Sequence, residues 1–509
     1  MSSILTNNGA MIALQTLRTI NSDLGGTQSA ISTGKDIASA KDNASVWAIS
    51  KVMESDVKGF KGIADSLALG ESTLAVAAQA SETVTDLLTD IKGKIVAAQE
   101  SNVDREKIQT DISALRDQIN SVIGAAQFNG LSLVEGTDDV NILSSLDRKS
   151  DGSVTASDIT VRRQDLSTSA GSFGTGSTAI AANITSGDTA VTGDGTANQL
   201  ELTLSGTATD NFDITINNTT LSIAFDTDAA TTMANAAVAI NALGLTGISA
   251  SDEGSGTLAL INTNSFESFD VTWDSNGANT VAVANNGDGA AGTTQGAAAG
   301  PGSDTLFKRA EEVVLNSAAT VKDGDSYRIS VNGNDYDYIA GKGENMEDVA
   351  RGLKTAVDAG NEDDVSTQVS QNDDGDWVVS VDYSGAGSIS LSDTGQEGGT
   401  ASGGLFGLDN IDVTTDAGAD AALSNIETLI STAIDAAANF GSAQGRVETQ
   451  GTFISNLSDA LKSGIGGMVD ADMEETSAKL QALQVQQQLA VQSLSIANQA
   501  PQTILSLFR

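Results

Sequence analysis

The 509-residue chain has no cysteine, no histidine, only two prolines (Pro301 and Pro501) and few aromatics. Without cysteine the fold rests on no disulfide or thiolate metal site, and cysteine usage leaves the redox compartment open. Without histidine or cysteine most zinc sites, Ser-His-Asp triads and Cys-His dyads are excluded. Carboxylates alone can still do acid–base work or hold a hard cation. Catalysis is disfavoured by composition, then, and no cofactor is expected. Long apolar runs are also missing, and none could cross a bilayer. The first residues, Met1-Ser-Ser-Ile-Leu-Thr-Asn-Asn8, have neither a basic nor an apolar segment, so no cleaved secretory signal is expected. Positive charge is scarce: 26 Lys and Arg face 67 Asp and Glu, a net charge of −41. That balance argues against nucleic acid and anionic membranes as partners.

The length allows roughly three or four domains, and charge divides the chain before any motif does. Residues 151–420 contain nine Lys and Arg against 40 Asp and Glu, a net of −31 that leaves about −10 for both ends. The middle is a solvated acidic surface between nearly balanced ends.

The ends read as heptads. Ala10, Leu14, Leu17, Asn21, Leu24, Gln28 and Ile31 follow a 3-4 spacing that places a narrow stripe on one helix face. Gly34 then suits a helix C-cap. A cleaner stripe follows: Ile63, Leu67, Gly70, Leu74, Ala77, Ser81, Val84, Leu88, Ile91, Ile95 and Ala98. Its five heptads predict a rod of roughly 55 Å at 1.5 Å per residue. Ile108, Ile112, Leu115, Ile119, Val122 and Ala126 predict a helix returning antiparallel, with Asp104 as its N-cap. Near the other end, Leu423, Ile426, Ile430, Ala433, Ala437, Phe440, Gln444, Val447, Gly451, Ile454, Ser458 and Leu461 form one long stripe. Gly464-Ile-Gly-Gly467 interrupts it, and Leu480, Leu483, Gln487, Ala490, Leu494 and Ala497 resume the spacing.

The fold class expected is an all-α antiparallel coiled-coil core formed by both chain ends, with a β-hairpin region and two inserted β-rich α+β outer domains. Stripes 63–126 and 423–461 suit a bundle core, made of Leu67, Leu74, Val84, Leu88, Ile91, Ile112, Leu115, Ile119, Ile426, Ile430, Phe440, Val447 and Ile454. Stripes 1–31 and 480–509 are small, Ala- and Gln-rich and broken by polar residues, so they stabilise an isolated hairpin poorly. They are expected to fold by packing against copies of themselves. An open head-to-tail contact of that kind, one that does not close into a ring, builds a helical filament.

Three segments are more specific than periodicity. Ser39-Ala-Lys-Asp-Asn-Ala-Ser45, preceded by Ser32-Thr-Gly-Lys35, resembles the SAKDDAA segment of bacterial flagellins. Gln127-Phe-Asn-Gly130 resembles the family's QFNG segment. The terminus Ala497-Asn-Gln-Ala-Pro-Gln-Thr-Ile-Leu-Ser-Leu-Phe-Arg509 is similar to its ANQ-x-PQ-x-x-LSLLR ending. Ser39, Ala40, Lys41, Asp42, Gln127, Phe128, Asn129 and Gly130 carry the signature.

The resemblance implies an extracellular filament subunit, exported unfolded through the flagellar type III channel and used for swimming. It also implies an inner terminal domain of residues 1–45 with 465–509, and a rod domain of 46–175 with 420–464. Leu14, Leu17, Leu24, Ile31, Leu480, Leu483, Leu494, Ile504, Leu505, Leu507, Phe508 and Arg509 are then the assembly residues. The partners implied are copies of the chain, the flagellar cap, hook-associated proteins and an export chaperone at the C-terminal helix. The stretch Asp90-Ile-Lys-Gly-Lys-Ile-Val-Ala97 departs from the family's RVRELAVQ-type segment, with Asp90 and Gly93 where Arg and Glu are typical. Weak recognition by the innate immune Toll-like receptor for flagellin is therefore expected, because an Arg fork has no equivalent here. The alternative within the family is the hook–filament junction protein, which shares both ends. A coiled-coil adhesin or type III translocator accounts for the heptads and acidity but not for the three segments. An inserted peptidase of the His-Glu-x-x-His type is impossible without histidine.

From about 176 to 419 heptads give way to alternating strands and Gly/Asn/Asp turns. Two stretches share one order of elements, hairpin–helix–hairpin, and resemble the IN motif of flagellins and hook-associated proteins. They predict outer domains at 176–300 and 301–419, with Phe225 or Trp377 anchoring a core and a flexible Gly/Ala-rich link at 285–303. Asn372-Asp-Asp-Gly-Asp376 looks like a calcium loop but lacks the bidentate Glu at loop position 12, so it is read as a hairpin turn.

Overall fold

The computed structural model describes residues 7–149, 153–176, 178–186, 190–193, 198–285 and 293–507. Seven α-helices are seen among them: α1 (Asn8–Thr33), α2 (Ala44–Ala98), α3 (Arg105–Ala125), α4 (Ala229–Ala242), α5 (Met346–Ala359), α6 (Asp416–Val469) and α7 (Met473–Leu507). The chain forms two compact units: Met1–Ser72 with Asn141–Val161 and Ser442–Arg509, and Thr73–Val140 with Arg162–Gly441.

Local chemistry accounts for the helix boundaries. The α1 helix begins at Asn7, whose Oδ1 accepts the Ala10 N–H at 3.0 Å, and ends at Gly34 in the left-handed conformation (φ 70°). Asp104 caps α3 by accepting the Lys107 N–H, which satisfies one of the helix's open donors. The α6 helix runs through Gly464-Ile-Gly-Gly467, where the sequence predicted an interruption, and ends at Val469. Each interior glycine costs about 1 kcal/mol relative to alanine, a penalty that packing along a 54-residue helix absorbs. The break falls instead at Asp470–Asp472, where Asp472 accepts the N–H groups of Glu474 and Glu475 and starts α7.

In the first unit, the antiparallel hairpin Val140–Arg148 and Val154–Val161 lies against α2 and α6. Gly70 of α2 admits Ile142 so closely that a Cβ there would stand 2.5 Å from Ile142 Cδ1. Gln450 Nε2 donates to Ser144 O (2.9 Å) and Arg148 pairs with Asp56 (2.5 Å).

The second unit contains the helices around Val84–Phe440 and two β-rich lobes. In the first lobe one sheet runs Ile248–Gly254, Thr257–Asn262, Gln199–Ser205, Thr280–Asn285, Thr293–Ala299, and the other Pro301–Leu306, Phe269–Asp274, Phe212–Ile216, Thr219–Ile223. They bury Leu200, Leu202, Phe212, Ile214 and Val271 with Met233 and Ile240 of α4. In the second lobe one sheet runs Val365–Gln371, Trp377–Tyr383, Glu311–Leu315, Ile184–Ser186, and the other Asn334–Ile339, Ser326–Val331, Ser388–Gln396, Ala190–Thr192. Their core includes Tyr327, Ile329, Val379 and Val381 with Val349, Leu353 and Val357 of α5.

Hairpin–helix–hairpin therefore occurs twice, and both leading hairpins close on two-residue loops with positive φ: Asn217-Asn218 (46°, 61°) and Asn332-Gly333 (53°, 82°). Such loops match the twist of the strands they join. Within the two lobes the most fully buried aromatics are Phe212 and Tyr327, whereas Phe225 and Trp377 are half-buried. Nor is 293–306 a free link: Thr293–Ala299 and Pro301–Leu306 are edge strands, and Pro301 opens its strand where no ladder N–H is required. The remainder of that expected link, 286–292, lies outside the described residues. At Asn372–Asp376 the chain makes a hairpin turn, with Gly375 at φ 85° and Asn372 Oδ1 accepting the Asp374 and Asp376 N–H groups.

Glu344 sits half-buried on the loop between the strand Asn334–Ile339 and α5, where its Oε2 accepts the Tyr338 hydroxyl at 3.0 Å. Burial pushes its carboxyl up to about 7; the Gly341 N–H, Tyr338 and Arg162 oppose the rise, and Asp348 adds to it. A carboxyl whose folded pKa exceeds its unfolded value contributes stability that is complete below the unfolded value and disappears as pH rises through the folded one. The second lobe should thus weaken between about pH 4.5 and 7, by as much as about 3 kcal/mol. Glu344→Gln is expected to flatten that slope. Urea unfolding followed by Trp377 fluorescence at pH 5 and 8 checks it, and an unchanged slope in the variant refutes it.

Candidate assembly surface

The terminal helices meet along one antiparallel seam. Asn7 Nδ2 donates to Ala497 O (2.8 Å), Gln487 Nε2 donates to Asn21 Oδ1 (2.7 Å), and the backbones of Lys35 and Asp470 form an isolated antiparallel β-bridge. Beyond the helix ends, the N–H groups of Asp36 and Ile37 donate to Val469 O, and Ala471 N–H donates to Gly34 O. Ile20, Leu483 and Ala490 are buried at this seam, with Leu17 and Leu24 partly buried beside them.

On α1 the inward stripe is Ala10, Ala13, Leu17, Ile20, Leu24, Thr27 and Ile31. It shares Ala10, Leu17, Leu24 and Ile31 with the stripe read from spacing, but Ala13, Ile20 and Thr27 replace Leu14, Asn21 and Gln28. Both series obey a 3-4 rule. The structure takes the one that turns Ile20 inward and leaves Asn21 in solvent, as burial energy favours. On α7 the inward stripe is Leu480, Leu483, Gln487, Ala490, Leu494 and Ala497. The side chains of Ile504, Leu505 and Leu507 lie outside the described set, as do Phe508 and Arg509 entirely.

Little apolar surface is consumed at the seam and much is left over. Met11 (64% exposed), Ile12 (65%) and Leu14 (40%) on α1 stand in solvent, as do Met473, Val485, Leu489, Val491 and Ile496 (69%) on α7. Singly exposed apolar residues are ordinary. Eight of them lie on these two paired helices.

Of the residues predicted for a bundle core, Leu67, Leu74, Val84, Leu88, Ile91, Ile112, Ile119, Ile426, Phe440, Val447 and Ile454 are buried. Leu115 and Ile430 are half-buried, and Leu429 is the buried neighbour of Ile430.

The signature residues make turns. Asp42 Oδ2 accepts from Ser39 N–H (2.9 Å), Ser39 Oγ and Ala38 N–H, and the Ser39 N–H in particular holds its carboxyl below the usual range. Asn43 then caps α2 by accepting the Ser45 and Val46 N–H groups. Ala40 and Lys41 lie exposed in the same turn. Gln127 and Phe128 pair with Ser132 and Leu131 around Asn129 (φ 51°) and Gly130 (φ 80°), a two-residue hairpin that reverses the chain after α3. On α2, Lys92 pairs with Glu427 and Lys94 with Asp111 (2.5 Å), while Asp90 and Gly93 are exposed. Among the described residues no cluster of carboxylates is arranged to hold a metal ion, and no helix is long and apolar enough to cross a membrane.

Helical chain ends that pair with each other, keep apolar residues outside and enclose a β-rich insertion define a self-assembling structural protein. The family models described as bacterial flagellin N-terminal and C-terminal helical regions match residues 4–139 and 423–508. Flagellin A of Rhizobium meliloti is 30% identical over 518 residues, covering 100% of both chains. Flagellin FljO of Caulobacter vibrioides is 41% identical over 185 residues, 35% of this chain and 66% of that one. The chain belongs to the bacterial flagellin family. It is a structural subunit of the extracellular flagellar filament. Among solved structures, flagellar hook associated protein-3 of Legionella pneumophila aligns with 82% of this chain and 98% of its own at a TM-score of 0.32 and 10% identity. A likeness that slight bears on neither fold nor function.

Proposed function

We propose that the paired terminal helices are the polymerising element, a coiled coil completed only by neighbouring copies. The observation that carries this is the eight exposed apolar residues of α1 and α7 beside a seam whose buried apolar residues, among those described, are Ile20, Leu483 and Ala490. In this reading residues 1–45 with 465–509 form the filament's inner layer, and 46–175 with 420–464 the rod around it. The two lobes stand outside as α+β domains. Strands Ile184–Ser186 and Ala190–Thr192 belong with the second lobe and Pro301–Leu306 with the first, because that is where they pair.

The subunit is exported unfolded through the flagellar type III channel, with a chaperone on the C-terminal helix, and is added beneath a cap. Absence of cysteine suits such a route, since no disulfide has to be broken or remade. The chain acts as a structural element rather than a catalyst.

Hydrogen exchange tests the polymerising element. Amides of α1 and α7 should exchange readily in the monomer and become strongly protected in filaments. Equal protection in both states would overturn the proposal.

Receptor recognition should be weak, since the outward side of α2 offers Asp90 and Gly93 and ties Lys92 and Lys94 into ion pairs. A reporter-cell assay should show much lower potency than an enteric flagellin; equal potency rejects this expectation.

A further inference from the structure

In so acidic a chain an arginine has no shortage of partners. Of the nine Lys and Arg in 151–420, the seven from Lys308 to Lys354 all form ion pairs. Among the described residues Arg162 and Arg163 do not. They are neighbours in sequence, and both line one cavity of about 250 Å³ in the second unit.

Both guanidinium groups are seated by glycines with left-handed backbone. Gly343 (φ +82°) lies directly against Arg162, and a Cβ on Gly136 (φ +86°) would stand 2.9 Å from Arg163 Nη1. Side chains at these positions would occupy the guanidinium sites. Arg163 Nε is buried and has no hydrogen-bond partner, a costly condition for a charged donor. Three of the nearby carboxylates accept hydrogen bonds from other groups, although Arg162 acts on Glu344 across space. Asp165 Oδ1 accepts the Ser167 N–H (2.9 Å), Asp348 Oδ2 the Asn345 N–H (2.8 Å), and Glu344 the Tyr338 hydroxyl. Lys342, at the same cavity, pairs with Asp139.

We propose that this cavity is a binding site for a small oxyanion, of the sulfate, phosphate or carboxylate class, held on the guanidinium forks of Arg162 and Arg163 that line it. Planar guanidinium groups match such oxygens in paired hydrogen bonds. A water occupies roughly 30 Å³, so the space admits an ion of this size together with waters. The carboxylates of Asp165, Asp348 and Glu344 oppose the anion, as does Asp435 from α6 at the cavity edge. Glu344, with its carboxyl pushed up to about 7, is the one that gains a proton near neutrality. Binding therefore tightens on mild acidification.

Calorimetric titration of the full-length monomer with sulfate, at ionic strength held constant with chloride, tests the site. Saturable one-to-one binding is expected, severalfold tighter at pH 6 than at pH 8. It should be lost in the double variant Arg162→Ala/Arg163→Ala. It should be weakened in Arg163→Lys, which keeps the charge and loses the fork, with the unliganded melting temperature unchanged. Absence of saturable heat, or binding that survives in the double variant, overturns the proposal. Sulfate that binds the monomer but is expelled on polymerisation overturns it in favour of a neighbouring subunit's carboxylate.

Discussion

A chain lacking residues 470–509 should stay monomeric under conditions in which the full-length protein elongates filament seeds. The deletion removes α7 and with it every partner of the α1 seam: Leu483 and Ala490 against Ile20, Gln487 against Asn21, Ala497 against Asn7. What remains of α1 is a 26-residue helix with three glycines and no neighbour. Nucleation makes such isolated helices marginal in water, and burying each Leu or Ile supplies only about 1.5–3 kcal/mol. The deletion also removes five of the eight exposed apolar residues that neighbouring copies would cover. Leu483→Asp should reproduce much of the defect by placing a charge at the seam. Negative-stain microscopy and sedimentation of seeded reactions read the result. Tubular filaments from the truncated chain would contradict the assignment of assembly to the terminal helices.

Arg309→Ala should destabilise the lobes by about 3–5 kcal/mol, the usual consequence of stranding one member of a buried ion pair. Arg309 donates from Nε and Nη2 to the two oxygens of Asp382, at 2.7 and 2.6 Å. The side chains are 12% and 2% exposed. The Arg309 N–H also donates to Asn264 O, and its Nη2 donates to Ser265 Oγ, so one side chain ties the first lobe to the second lobe's sheet. Without it the Asp382 carboxylate keeps only the Ser366 hydroxyl, a long bond at 3.4 Å, among these partners. Replacing both residues with apolar ones of similar volume should cost far less. Urea unfolding followed by Trp273 and Trp377 fluorescence measures both, and a loss below about 1 kcal/mol for Arg309→Ala would show that solvent reaches the pair.

Legibility followed the range of the interactions. The α2 stripe from Ile63 to Ala98 was readable because one phase collects Ile63, Leu67, Leu74, Val84, Leu88, Ile91 and Ile95. The α1 stripe was readable only in part. Leu14 and Ile20 compete for the seam there, both series satisfy the same spacing, and only the position of α7 decides between them. Gly464-Ile-Gly-Gly467 looked like a break because glycine lowers helix propensity, yet tertiary packing outweighs a penalty of about 1 kcal/mol per residue. The candidate oxyanion site was invisible: Arg162 and Arg163 sit outside any motif, and their lack of partners is evident only against the pairing of every other cation in the acidic middle.

Sequence by itself determined what depends on neighbours a few residues away. These are the helical ends, the caps at Asp104 and Gly34, the turn at Asn372–Asp376 and the repeated hairpin–helix–hairpin order. Family membership was legible too, in turns and a terminus whose residues are dictated locally. Tertiary structure alone decided which strands share a sheet. Ile184–Ser186 joins Glu311–Leu315 and Ala190–Thr192 joins Ser388–Gln396 across more than a hundred residues, while Pro301–Leu306 turns back to Phe269–Asp274. Those ladders are bonds between backbone N–H and C=O groups, which every residue but proline possesses in full. Side-chain identity therefore marks where a strand lies and which face it buries, but not which distant strand completes it.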